Sequence, residues 1–113
     1  MRFLVGGGPG DAYGDAFDKV GATEVSEIKL EGARYILLKL DENIDVKGLE
    51  TDHVLVKGRY VGQTLDDIRD DKDRRTSGTV ALYLVEPTKV HHAGKRKFLR
   101  YIKYNGVGSC DPA

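Results

Sequence analysis

Three pairs of short β-type runs, each split by a two-residue link containing glycine, constrain the fold of this chain more than any other feature. Ile28-Lys29-Leu30 and Ala33-Arg34-Tyr35-Ile36 flank Glu31-Gly32, and Val54-Leu55-Val56 and Arg59-Tyr60-Val61 flank Lys57-Gly58. The third pair is the longest: residues 79–92, then Ala93-Gly94, then residues 95–104. Glycine supplies the positive φ that a two-residue hairpin loop needs, so each pair reads as a hairpin. Pro87 interrupts the third pair and predicts a bulge or an edge position there. Residues 41–53 alternate poorly and read as a loop.

Helix signals are fewer. Thr64-Leu65-Asp66-Asp67 resembles a capping box, with Asp67 at the position usually held by Glu or Gln. Leu65 and Ile68 supply a short apolar stripe, and Gly78 supplies a stop. A second short helix is expected over about residues 11–20, with Ala12, Ala16, Phe17 and Val20 towards the core. Hairpins with one or two short helices predict an α+β fold with a small, mainly antiparallel sheet.

The length of 113 residues suits a single domain spanning 1–113, with enough burial to fold without metal or disulfide support. One cysteine, Cys110, excludes an internal disulfide and fits a reducing compartment. No apolar leader core follows Met1, and the longest apolar run, residues 80–85, is too short to span a bilayer. The expectation is a soluble, cytoplasmic protein without membrane contact.

Charge supplies the main functional signal. The 18 cations and 18 anions cancel, but residues 1–56 hold six Lys/Arg against eleven Asp/Glu, and the remainder twelve against seven. Residues 87–110 contain no Asp or Glu and carry Lys89, Lys95, Arg96, Lys97, Arg100 and Lys103, interleaved with Phe98, Tyr101 and Tyr104. If Ala93-Gly94 is a two-residue loop, Val85 opposes Ile102, Tyr83 opposes Tyr104 and Lys89 opposes Phe98. Tyr83, Val85, Phe98, Ile102 and Tyr104 then share the core face, leaving Lys95, Lys97, Leu99, Tyr101 and Lys103 outside. Cations neutralise phosphates and an exposed tyrosine stacks on a base, which is what a nucleic-acid platform requires. The plainer alternative is an edge strand whose charges block strand-to-strand aggregation.

Other motifs are weaker. The glycine-rich residues 6–14 lie between a strand and an expected helix, the layout of a phosphate-cradling loop. They lack the Lys-Ser/Thr of a P-loop and miss the dinucleotide spacing by one residue, and Asp11 and Asp15 oppose an anion. Glu27-Ile28-Lys29 has the carboxylate-x-lysine form of metal-dependent nucleases, without the further upstream acid that such sites need from a strand. Asp66, Asp67, Asp70, Asp71 and Asp73 alternate with Arg69, Lys72, Arg74 and Arg75 and read as solvated ion pairs. His91 and His92 would face opposite sides of a strand, His53 reads as structural, and Cys110 reads as incidental.

Catalytic residues, metals and cofactors are therefore not expected. The leading expectation is a small non-catalytic binding protein contacting DNA or RNA through Lys95, Arg96, Lys97, Arg100, Tyr101 and Lys103. The rival is a protein-interaction or self-assembly module, such as an inhibitor, adaptor or virus-type accessory subunit, using its acidic and basic halves. A small enzyme built on residues 6–14 or on Glu27 and Lys29 is the third class.

Overall fold

A computed structural model describes residues 1–7, 19–30, 32–46, 49–70, 80–85 and 102–113; for Leu30, Leu49 and residues 102–105 the backbone alone is described. Six strands run in chain order: β1 (Arg2–Gly7), β2 (Val20–Leu30), β3 (Ala33–Val46), β4 (Leu49–Gly58), β5 (Val80–Val85) and β6 (Ile102–Pro112). Each pairs antiparallel with the next, and β6 returns to pair with β1, closing a barrel. One short helix, α1 (Leu65–Arg69), lies between β4 and β5. The α+β expectation is thus corrected. The described residues form a nearly all-β closed barrel, because the turn signals join strands that continue one meander around the core.

Alternation along the strands builds the lumen. Phe3, Val5, Val20, Ala22, Ile36, Leu38, Leu40, Val54, Val56, Val80, Leu82 and Leu84 bury together inside it, joined by Cys110 from β6. Gly106 and Gly108 lie opposite the inward-facing Leu82 and Val80 on β5. A side chain on Gly108 would overlap Leu82 Cδ1 and lie 2.5 Å from the Gly6 carbonyl oxygen, so this wall must be thin. On the outer surface, Ile28, Tyr35, Leu37, Leu55 and Val85 form a second buried cluster, with Ala33 and Tyr83 packed against it.

The first hairpin is as expected. Leu30 pairs with Ala33 and Ile28 with Tyr35, and Gly32 between them has φ +84°. The second is not a hairpin. β4 runs through Lys57 to Gly58, and Arg59–Gly62 leads into α1 instead of a returning strand. A Cβ on Gly58 would lie 2.5 Å from the Gln63 carbonyl oxygen, so Gly58 serves close packing of this turn. The loop expected over 41–53 is instead the end of β3 and the start of β4. Its poor alternation has a cause: pairing shifts from Lys39↔His53 to Ile44↔Thr51, which leaves extra residues on β3.

In the third pair Val85 does oppose Ile102, but Tyr83 opposes Asn105 and Leu84 opposes Tyr104. A bulge that leaves Lys103 unpaired shifts the register by one and changes the faces. Leu82 and Leu84 are the core residues there, whereas Tyr83 and Val85 belong to the outer cluster. Pro87, Lys89 and Phe98 lie outside the described residues.

The capping box at Thr64 is present. The Asp67 amide donates to Thr64 Oγ1 at 3.1 Å, and the Thr64 amide donates to Asp67 Oδ2 at 2.9 Å. Leu65 and Ile68 join the barrel core, so α1 closes one end of it. The helix stops at Arg69, well before Gly78, as Asp70 turns extended. Of the second expected helix, Val20 instead opens β2, and residues 11–18 lie outside the described residues.

Candidate functional site

The meander alternates its connections between the two barrel ends. The β2–β3 hairpin, α1 and both chain termini belong to one end, which is here the helix end. The β1–β2, β3–β4 and β5–β6 connections belong to the other. Val85 and Ile102, the strand ends on either side of residues 86–101, are paired neighbours at this second end. Lys95, Arg96, Lys97, Arg100 and Tyr101 fall within that connection and lie outside the described residues. Lys103 occupies the bulge in β6.

At the helix end a second bulge organises charge. Pairing in β2 shifts from Glu24↔Leu38 to Ser26↔Leu37, so Val25 is the extra residue. Glu24 and Glu27 then both pair with lumen-facing residues, Leu38 and Ile36, although an unbroken strand would put residues three apart on opposite faces. Arg69 at the end of α1 takes both. Its Nε and Nη2 donate to Glu24 at 3.0 and 3.1 Å, Nη2 also donates to Glu27 Oε2 at 3.0 Å, and Nη1 donates to Asp66 Oδ1 at 3.0 Å. Arg34 Nη1 donates to Glu27 Oε1 at 2.9 Å. The bond from Arg34, then that from Arg69, holds the Glu27 carboxyl below its ordinary value, and the bond to Glu24 raises the Arg69 guanidinium.

Beside this network lies an open cleft of about 410 Å³, lined by Glu27, Ala33, Arg34, Lys57, Gly58, Gln63, Thr64, Leu65, Asp66 and Arg69. Lys57 Nζ sits 5.6 Å from the Tyr35 ring centroid and 5.9 Å from that of Tyr83, and the two rings pack edge to face. The side chain of Arg34 is 66% exposed.

Comparison with protein-family models, curated proteins and solved structures finds no match for this chain. Its own geometry carries the reading.

That geometry disposes of several sequence candidates. Both Glu27 oxygens are bonded to arginines, so the Glu27/Lys29 pattern leaves no open carboxylate for a metal. Asp66 pairs with Arg69 and Asp67 caps α1, while Asp71 and Asp73 lie outside the described residues. His53 Nδ1 lies 2.7 Å from Asp52 Oδ1; His91 and His92 are outside the described residues. Gly6 and Gly7 end β1, and the rest of 6–14 is outside them as well. Cys110 is fully buried in the lumen, where desolvation pushes its thiol up.

Sequence reasoning missed Glu24, Arg34, Lys57 and Arg69. The first and last are 45 residues apart, and a bulge aligns the glutamates, so no spacing rule joins them. Arg34 and Lys57 did carry a signal. They flank the turn-bearing ends of two β-runs, which adjacent strands bring together.

Proposed function

We propose that this chain is a small non-catalytic binding protein that contacts nucleic acid through the cationic, aromatic-bearing connection between β5 and β6. The support is the charge pattern of that connection together with the pairing of the barrel's own carboxylates. The strand ends that flank the connection, Val85 and Ile102, are paired with each other, and within residues 102–107 β6 is paired with β5 alone among the described residues. Carboxylates elsewhere in the barrel also have partners of their own: Asp41 pairs with Arg2, Glu24 and Glu27 with Arg69, and Asp52 with His53. Phosphate neutralisation falls to Lys95, Arg96, Lys97, Arg100 and Lys103, and base stacking to Tyr101.

The test is fluorescence anisotropy with a single-stranded oligonucleotide across a salt series. Replacing Lys95, Arg96 and Lys97 together with Ala reduces the slope of log affinity against log salt by about two, at roughly 0.7 per lost contact. Tyr101→Ala weakens binding by about 1–3 kcal/mol with the slope unchanged. An unaltered slope in the triple variant overturns the reading.

A second reading, self-assembly, has one observation in its favour. The end of β3 and the start of β4 carry Asp41, Glu42, Asp45, Glu50 and Asp52, and these strand ends share a barrel end with Val85 and Ile102, which flank residues 86–101. Acidic and basic segments that share an end would join copies end to end. Sedimentation without nucleic acid decides it: an oligomer at low salt that dissociates at high salt supports assembly, and a monomer throughout excludes it.

A further inference from the structure

We propose that Thr51 is a positioning residue for the nucleic-acid contact: its hydroxyl fixes the Val85 carbonyl, where the chain leaves β5 for the cationic connection. This role rests on the nucleic-acid reading of that connection and names a buried residue on which it depends.

The position is an odd place for a hydroxyl. Thr51 is 1% exposed, pairs with the core residue Ile44, and precedes the core residues Val54 and Val56 on the same strand. Valine fills the same volume, and a hydroxyl taken out of water costs stability unless it is bonded. Here it is bonded in both senses. Oγ1 donates to the Val85 carbonyl oxygen at 2.5 Å and accepts from the His53 amide at 3.1 Å. The His53 carbonyl oxygen is the more distant acceptor, at 3.3 Å, so the single hydroxyl proton goes to Val85.

That bond lies where the sheet stops. Pairing of β4 with β5 ends at Val54↔Leu84, so Val85 is the first residue past the ladder on that side. On its other side Val85 pairs with Ile102, across the bulge that leaves Lys103 unpaired. Thr51 therefore ties the last residue of β5 back to β4 beyond their ladder. Through the Val85–Ile102 pair it also steadies the start of β6, next to Lys103. A base fixed before the ligand arrives lowers the ordering entropy that binding costs. A hydroxyl that served the fold alone would change stability and leave affinity as it was.

The test compares three variants. Thr51→Val keeps the shape and loses the hydroxyl, Thr51→Ser keeps the hydroxyl, and Ile44→Val loosens the facing core position without touching either. Urea unfolding establishes that each is folded under the binding conditions, and fluorescence anisotropy with a single-stranded oligonucleotide reads affinity. Thr51→Val weakens binding by about fivefold with the salt slope unchanged, because no phosphate contact is removed. Thr51→Ser restores most of the affinity, and Ile44→Val binds as the unaltered chain does. Without nucleic acid, hydrogen exchange at the His53 and Val85 amides is about tenfold faster in Thr51→Val and unchanged in Thr51→Ser. In the unaltered chain, saturating oligonucleotide slows exchange at Val85, a readout that needs no variant.

Equal affinity of Thr51→Val and the unaltered chain overturns the positioning role, as does a Thr51→Ser that binds as weakly as Thr51→Val. Weaker binding by Ile44→Val assigns the effect to stability and overturns it too. Exchange at Val85 that oligonucleotide does not slow overturns it without any variant. An unaltered chain that binds no oligonucleotide overturns the nucleic-acid reading and this role with it, while the exchange rates still decide whether the hydroxyl anchors Val85.

Discussion

Arg69 Nε lies 3.0 Å from Glu24 Oε1, tying the last residue of the capping helix to a strand 45 residues earlier. The pair is mostly shielded from solvent, with side-chain exposures of 20% and 21%, and the guanidinium binds both Glu24 oxygens. Such a bidentate contact in a partly dry setting is stronger than an ordinary surface ion pair. It also fixes α1 over the barrel mouth and therefore shapes the cleft.

Arg69→Ala leaves Glu24 facing the lumen without its cation and exposes Ile68 to a looser helix. A loss of about 2 kcal/mol is expected, between the values for exposed and fully buried pairs. Urea unfolding measures it. A double-mutant cycle of Arg69→Met with Glu24→Gln returns a coupling of about 1 kcal/mol. Coupling indistinguishable from zero means that the helix is held by Leu65 and Ile68 alone.

Gly108→Ala tests the thin wall of the barrel. The added methyl overlaps Leu82 Cδ1 and approaches the Gly6 carbonyl oxygen, and β6 is held on both sides by β1 and β5. Neither strand can withdraw without breaking ladder bonds, so about 2–3 kcal/mol of stability is lost. Adding Leu82→Val recovers part of the loss, because the overlap with Leu82 is relieved and the carbonyl contact is not. A neutral Gly108→Ala in thermal unfolding would show that the wall has slack.

These two sites mark where the sequence was legible. Local chemistry could be read directly: Gly32 at positive φ, the Thr64 capping box, and the 80–85 run as a strand all depend on neighbours within a few residues. Closure could not be read, because pairing of β1 with β6 joins the two ends of the described chain. Bulges hid the rest. Val25 in β2 and Lys103 in β6 each add one residue to a pairing, and one residue reverses every later face assignment. That is why an unbulged register puts Tyr83 and Val85 in the core in place of Leu82 and Leu84. It is also why Glu24 and Glu27, three apart, gave no sign of sharing an arginine. The leading functional residues fall in residues 86–101 and at Lys103, so the structure bears on them only through the strands that anchor them.

Acid should weaken the fold in a defined window. Arg34 and Arg69 lower the Glu27 carboxyl, and the hydrogen bond from Arg2 lowers that of Asp41. Their unfolded values lie near about 4.3 and 3.9. Below those values the unfolded chain takes up protons that the folded chain still refuses, so stability falls as pH drops towards the lowered folded values. Above about pH 5 both contributions are fully present. Melting temperatures from pH 6 to pH 2.5 follow this loss, and the double variant Glu27→Gln, Asp41→Asn declines less steeply. An identical acid profile in that variant would assign the loss to other carboxylates.

Cys110 gives the last prediction, on access to the lumen. It is fully buried between the core residues of β1 and β5, and desolvation, reinforced by Asp111, pushes its thiol well above the ordinary value. Thiolate is the reactive form, so burial and charge both suppress reaction. A disulfide reagent at pH 8 should therefore label the denatured chain rapidly and the native chain only as fast as the β1–β6 seam opens. Native labelling slows by about a thousandfold or more, in proportion to the stability of that opening. Arg69→Ala separates two routes of access. If the helix end is the gate, the variant labels faster by the same factor as its loss of stability. If the β1–β6 seam opens by itself, labelling accelerates less than global stability falls. Native and denatured chains reacting at comparable rates would mean that the barrel is not closed at β6, and the register of Val5 with Cys110 would be wrong.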